Sequence, residues 1–268
     1  MGVTRIEGAR LYYQAAGPSH SDSPPLVLIH GLGSSSADWE GQVPEFSKHF
    51  RVIVPDLRGH GGSSRAGDYR VERFAADTWQ LLDHLRIDNP LLLGHSMGGA
   101  VAMQMVLDRP GRVRKLVLAN TVPSFRPRTL GERWMLWSRL LLMGWLGPRR
   151  LSEYMNEKLY PRPDQAALRR RVARRNARND KNTYLGSIRA LTQWSIEDRL
   201  RELNLPVLLL VAEKDYFSRS DADRFIAALP DARLIRFPGT RHGLPLEEPV
   251  LFNRAVLNFL RPGSDPRV

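Results

Sequence analysis

Short runs rich in Val, Ile and Leu recur along this chain, separated by stretches with the spacing of amphipathic helices. Leu26-Val-Leu-Ile-His30, Arg51-Val-Ile-Val-Pro55, Leu91-Leu-Leu-Gly94, Val113 to Ala119 and Val207-Leu-Leu-Leu-Val211 are the runs. A strand with one face in water alternates apolar and polar residues, whereas these runs are apolar on both faces. A parallel sheet covered by helices on each side meets that demand. Helices are expected at 71–86, 97–109, 220–229 and 246–260, with Ser220 and Asp223 as the start of the third. Ala232-Arg-Leu-Ile-Arg-Phe237 alternates, as a strand nearer the sheet edge does, and Thr4 to Gly17 reads as a leading hairpin with Gly8 in its turn. The fold class is therefore α/β, a mostly parallel twisted sheet flanked by helices.

The alternation breaks between Thr121 and Leu200, where strands vanish and the sequence becomes helical, aromatic and arginine-rich. No low-complexity linker flanks this stretch. It reads as an all-helical insertion, 121–200, in a core built from 1–120 and 201–268. The chain length of 268 residues suits this, at roughly 100–200 residues per domain.

Charge follows the same division. The formal net charge is +12, yet 1–120 contributes +1, 201–268 contributes +1 and 121–200 contributes +10. One basic module inside a nearly neutral protein is a different object from a nucleic-acid binder with charge spread throughout. The chain has no cysteine. Disulfide scaffolds, cysteine-ligated metals and thiol nucleophiles are thereby excluded. Neither the N-terminal residues nor the most apolar segment suggests export or anchoring. Trp134 to Leu146 is interrupted by Arg139 and Gly144 and is too short to cross ~30 Å of hydrocarbon. A soluble, cytoplasmic protein is expected.

Open parallel sheets bind ligands beyond the carboxyl ends of their strands. After the run 91–94 comes Gly94-His95-Ser96-Met97-Gly98-Gly99 and at once an apolar helix. This is G-x-S-x-G in a strand–turn–helix setting, where a sharp turn exposes the serine hydroxyl. After the run 26–30 comes His30-Gly31-Leu32-Gly33, a loop able to present a backbone N–H to an oxyanion. Leu32 and Met97 are the two expected backbone donors.

A serine needs a base. Of seven histidines, His20, His49 and His84 fall in a loop or on expected helices, and His30, His60 and His95 sit in turns suited to local hydrogen bonding. His242 alone follows the last strand, in Phe237-Pro-Gly-Thr-Arg-His-Gly243. The base in turn needs a carboxylate. Asp215 follows the run 207–211; Glu213 is the nearby competitor, and Asn120, as an amide, is disqualified. The order is Ser96, Asp215, His242.

These residues, with Asp56-Leu57-Arg58-Gly59-His60-Gly61-Gly62-Ser63 and the trailing Glu248-Pro249, resemble the α/β-hydrolase fold family over essentially the whole chain. The resemblance implies a helical lid at 121–200, and a pocket wall and turn shaped by 56–63. An Asp at position 96 would point to dehalogenation or epoxide opening. Serine implies acyl transfer on a fairly apolar carboxylic ester, thioester or lactone, with no metal or organic cofactor. C–C hydrolysis and cofactor-free lyase chemistry on the same triad are the alternatives, and a non-catalytic ligand- or membrane-binding protein is the rival of another class.

The insertion holds four of the six tryptophans, Trp134, Trp137, Trp145 and Trp194. Trp134, Trp137 and Trp194 are candidates for an acyl pocket, packing onto the core being the plainer reading. Within Leu168 to Arg178, Arg170, Arg171, Arg174, Arg175 and Arg178 share one helix face. That stripe is open to three readings: simple solvation, weak contact with an anionic membrane, or steering of an anionic substrate. Nucleic acid is not expected, because no aromatics interleave with the arginines.

Overall fold

The computed structural model describes residues 1–18 and 24–261; His20 lies outside the described residues. Eight strands form one sheet: β1 Gly2–Ile6, β2 Ala9–Ala16, β3 Leu26–Ile29, β4 Val52–Pro55, β5 Leu91–His95, β6 Lys115–Ala119, β7 Val207–Ala212 and β8 Ala232–Phe237. Their order is β1-β2-β4-β3-β5-β6-β7-β8. β1 and β2 are the leading hairpin, with Gly8 at φ +69° in its turn, and β2 runs antiparallel to β4. From β4 across to β8 every pairing is parallel.

The helices are α1 Val43–Phe46, α2 Val71–His84, α3 Met97–Asp108, α4 Leu130–Leu159, α5 Ala166–Asn176, α6 Lys181–Leu191, α7 Arg219–Ala228, α8 Leu244–Glu247 and α9 Pro249–Leu260. Continuous apolarity in the strands is explained by two cores. Val27 and Ile29 of β3 pack with Phe74 of α2 and Val101 of α3, while Leu26 and Leu28 turn the other way onto Phe46, Phe252 and Val256. Each buried aliphatic side chain contributes about 1.5–3 kcal/mol, so neither face tolerates a polar residue.

Two helix boundaries differ from expectation. α7 starts from Ser218, not Ser220: the Ser218 hydroxyl accepts from the Asp221 N–H while the Asp221 carboxylate accepts from the Ser218 N–H. Phe217 packs edge-on against Phe125 and His242, which fixes the chain just before that cap. The stretch 246–260 is two helices. Pro249 excludes its predecessor from helical geometry, and Glu248 sits at φ −132°, ψ 59° between α8 and α9.

The helical insertion leaves the sheet after β6 and returns before β7 through a narrow neck. Ser124 and Ser195 form an antiparallel bridge, and the Ile196 N–H donates to the Pro123 carbonyl at 2.9 Å. α4 bends where Gly147 takes φ 72°, and Pro148 opens its second arm at a position needing no N–H. The bend lets both arms fold over the carboxyl ends of the strands.

The arginine stripe is not a uniform solvent face. Arg171 pairs with Glu40 at 2.8 Å, and Arg175 reaches Glu40, Asp38 and the Ala37 carbonyl, all on the core. Arg170, Arg174 and Arg178 are the exposed remainder. Two members of the stripe fasten the insertion to the core.

Candidate active site

β3 lies between β4 and β5, so the chain crosses to one side after β3 and to the other before β5. Such a reversal opens a crevice at the carboxyl ends of the two central strands. The Gly31–Gly33 loop ends β3 there, and Ser96 ends β5.

Ser96 has φ 53° and ψ −122°, a left-handed backbone that costs a non-glycine residue about 1–3 kcal/mol. The neighbours enforce it. A Cβ on Gly94 would stand 2.3 Å from the Gly98 carbonyl oxygen, and one on Gly98 would stand 2.1 Å from the Ile29 carbonyl oxygen. Strand, turn and helix are thus pressed together, and the serine is held out of the turn. The Ser96 N–H donates to the Ala119 carbonyl at 2.9 Å, and the Thr121 hydroxyl donates to the Ser96 carbonyl at 2.8 Å.

The structure brings Ser96, His242 and Asp215 together. His242 Nδ1 lies 2.6 Å from Asp215 Oδ1, and Nε2 lies 2.9 Å from Ser96 Oγ. A carboxylate only accepts, so Nδ1 carries the proton and Nε2 is left to accept from the serine. Glu213 does not compete: its carboxylate accepts from the Gly239 N–H at the surface. Leu32 lines the cavity with Ser96, and Met97 follows the serine as the first residue of α3.

The sequence marks neither Asn120 nor Tyr216 for this arrangement, and His95, expected to bond locally in its turn, reaches the histidine loop instead. Asn120, buried at φ 47°, accepts from the Ala212 N–H at 2.9 Å and donates to the His242 carbonyl at 2.9 Å, tying β6, β7 and the histidine loop together. His95 Nε2 donates to the same His242 carbonyl at 2.8 Å. The Tyr216 ring lies over His242 with centroids 4.6 Å apart.

The remaining turn histidines are structural. His30 Nδ1 donates to the Gly31 carbonyl and its Nε2 accepts from the Leu57 N–H, while His60 Nδ1 donates to the Arg58 carbonyl. Burial pushes His30 down to about 4; burial and then the neighbouring His30 push His60 down to about 3. Unfolded imidazoles take a proton near 6.5, so between that value and the folded ones protons favour the unfolded chain. Stability should fall as pH drops from about 6.5 towards 5, by roughly 1 kcal/mol per pH unit for each of the two. Melting temperatures of wild type and His60→Asn across that window test this; equal slopes would refute it.

The cavity above Ser96 has a volume of about 510 Å³ and lies between the core and the insertion. Met135, Leu136, Met143, Leu151, Met155 and Ile188 make much of its wall apolar. The tryptophans proposed for it are elsewhere. Trp134 and Trp137 are 64% and 51% exposed and stack on each other on the outer side of α4. Trp194, only 4% exposed, donates its indole N–H to Gln104 of α3 and packs on Phe125 at the neck. None of the three lines the cavity. The 56–63 segment does not line it either: Asp56 accepts from the Ser36 and Gly62 N–H groups, and Arg58 pairs with buried Asp77, fastening the turn.

A doubly covered parallel sheet with a nucleophile elbow at its switch point defines an α/β-hydrolase. The family model described as the alpha/beta hydrolase fold matches residues 24–249, and the chain belongs to that family. It is 32% identical over 270 residues to a Variovorax paradoxus protein named "Putative carbamate hydrolase RutD", covering 96% of this chain and 98% of that one. An Agrobacterium fabrum protein of the same name is 28% identical, covering 95% and 99%. Among solved structures, a hydrolase from Pseudomonas aeruginosa PA01 superposes with a TM-score of 0.85 at 27% identity, covering 97% of each chain. The enol-lactonase from Burkholderia xenovorans LB400, at 23% identity, shares the fold with a TM-score of 0.89, covering 97% and 99%.

Proposed function

We propose that the chain is a serine hydrolase that opens a fairly apolar carboxylic ester, thioester or lactone through an acyl-enzyme. The Ser96–His242–Asp215 relay at the floor of an apolar-walled cavity carries this reading. Ser96 Oγ attacks the acyl carbonyl as His242 Nε2 takes its proton. Asp215 holds the Nδ1–H and stabilises the imidazolium. The Leu32 and Met97 N–H groups receive the oxyanion, each donor worth ~3–4 kcal/mol in the transition state. Collapse expels the alcohol, protonated from Nε2, and water repeats the sequence to free Ser96. Residues 121–200 act as the lid that selects the acyl group. The name of the Variovorax paradoxus relative adds a carbamate to the acyl classes proposed for this site.

A panel of p-nitrophenyl esters, with phosphonate labelling of the nucleophile, tests the reading. Turnover and labelling that both require Ser96 support it. Labelling without ester turnover favours the C–C hydrolase or lyase alternative, and absence of both favours a binding protein.

A second, weaker role is contact with an anionic membrane surface. Its basis is the exposure of Trp134, Trp137 and Trp145, side chains that favour the membrane interface, on an insertion that also exposes Arg170, Arg174 and Arg178. Co-sedimentation with phosphatidylserine vesicles should be lost on replacing the three arginines by glutamate. Equal binding by both proteins would end the idea.

A further inference from the structure

Among the cationic side chains that reach the cavity, one stands apart. Arg128 pairs with Glu197, Arg224 pairs with Asp221, and Arg126 donates to the Gln193 carbonyl. Arg139, on the first arm of α4, has no carboxylate or carbonyl acceptor among the described residues. Its Nε donates to the Tyr184 hydroxyl, its guanidinium lies 5.6 Å from the centroid of the same ring, and neither terminal nitrogen has a hydrogen-bond partner among the described residues. Arg139 is partly buried in this apolar-walled site, and its fork is free to take the acceptors of a bound ligand.

Its neighbours locate it relative to the chemistry. The Tyr184 ring packs on the glycine loop, so closely that a Cβ on Gly33 would stand 2.9 Å from it. Tyr216, which lines the same cavity as Arg139, packs its ring against His242 with centroids 4.6 Å apart. Burial first, then the Asp215 charge, pushes Tyr216 up to about 12 against the opposing pull of Arg139. Tyr184 therefore links the guanidinium to the loop bearing Leu32, while Tyr216, on the wall of the same cavity, packs on His242.

We propose that Arg139 is a specificity-determining residue that binds a carboxylate carried by the substrate, so that the preferred acyl compound is apolar along its length and anionic at one end. The planar fork suits a carboxylate, which accepts two parallel N–H bonds. The assignment rests on the acyl-transfer reading for the identity of the reaction, but not for the anion site itself. It also gives part of the basic insertion a task, since positive charge around a cavity mouth concentrates anionic substrate.

Wild type, Arg139→Gln and Arg139→Lys are compared on two p-nitrophenyl esters of equal chain length, the neutral valerate and the anionic glutarate half-ester. Arg139→Gln should lose about 10–100-fold in kcat/KM on the half-ester and less than about threefold on the valerate, with Arg139→Lys between. Equal losses on both esters overturn the proposal, because a guanidinium that merely packs on Tyr184 affects them alike. Calorimetric titration of free glutarate into Ser96→Ala, with and without Arg139→Gln, reads anion binding without turnover, and thermal melts confirm folding. Binding that depends on Arg139 supports the anion site even where neither ester is hydrolysed, in which case the acyl-transfer reading alone fails. Binding indifferent to Arg139 overturns the anion site whatever the esters do.

Discussion

Replacing Ser96 by alanine should reduce kcat by about 10⁶-fold while leaving the protein folded, since removing the nucleophile of such a triad costs about as much as removing the whole triad. The residue carries one hydrogen bond through its side chain, to His242 Nε2, and none that fastens the fold. Its backbone bonds to Ala119 and Thr121 survive the change, as does the strained φ of 53°. Alanine meets that strain as serine does, so the melting temperature should move little. Steady-state rates on the best p-nitrophenyl ester, with phosphonate labelling followed by mass spectrometry, provide the measurement. Residual activity above about a hundredth of wild type would show that another group attacks. Labelling at a different residue would say which.

Asp215→Asn should lower kcat by about 10⁴-fold without reshaping the site. Asp215 Oδ1 accepts from both the Tyr216 N–H, at 2.5 Å, and the His242 Nδ1–H, at 2.6 Å, and a carboxamide oxygen in its place can keep both bonds. What the carboxamide lacks is the negative charge that stabilises the imidazolium formed when His242 takes the Ser96 proton. No nearby acid takes over: Glu213 is committed to the Gly239 N–H, and Asn120 is an amide already spent on Ala212, Arg241 and His242. A drop smaller than tenfold would remove Asp215 from its place in the relay. Rates for Asp215→Asn and Ser96→Ala on one substrate make the comparison direct, because the serine variant sets the floor.

Much of this site is legible in the linear order of residues. A strand buried on both faces has to be apolar at every position, so the runs at 26–29, 52–55, 91–93 and 207–210 announce themselves. A serine set between glycines two before and two after, directly following such a run, requires the backbone crowding seen at Gly94 and Gly98. The histidine was found by elimination, because only one follows the last strand. These are local signals, in which chemistry and position are written within a few residues of each other.

Other features resisted for equally physical reasons. Ser218 and Ser220 each precede an aspartate by three residues, so both match a helix start, and only the packing of Phe217 selects the first. The aromatic run 134–146 is apolar around most of the helix, so periodicity does not say which side meets the core. The cavity takes Met135, Leu136, Arg139 and Met143, leaving Trp134 and Trp137 outside. In the same way, the arginines at 170, 171, 174 and 175 of α5, with Arg178 just past its end, look equivalent until Glu40 and Asp38 arrive from a part of the chain more than a hundred residues away and claim two of them.

The residue order alone therefore settles the α/β architecture and names a serine, a histidine and an aspartate, since burial on two faces and a tight turn each leave a mark on consecutive residues. The direction in which each helix of the insertion faces, and hence which cation in the cavity has no carboxylate partner among the described residues, was decided only by the folded arrangement. Pairing of charges depends on distance in space, and α4 meets Tyr184 only after the chain has closed over the sheet.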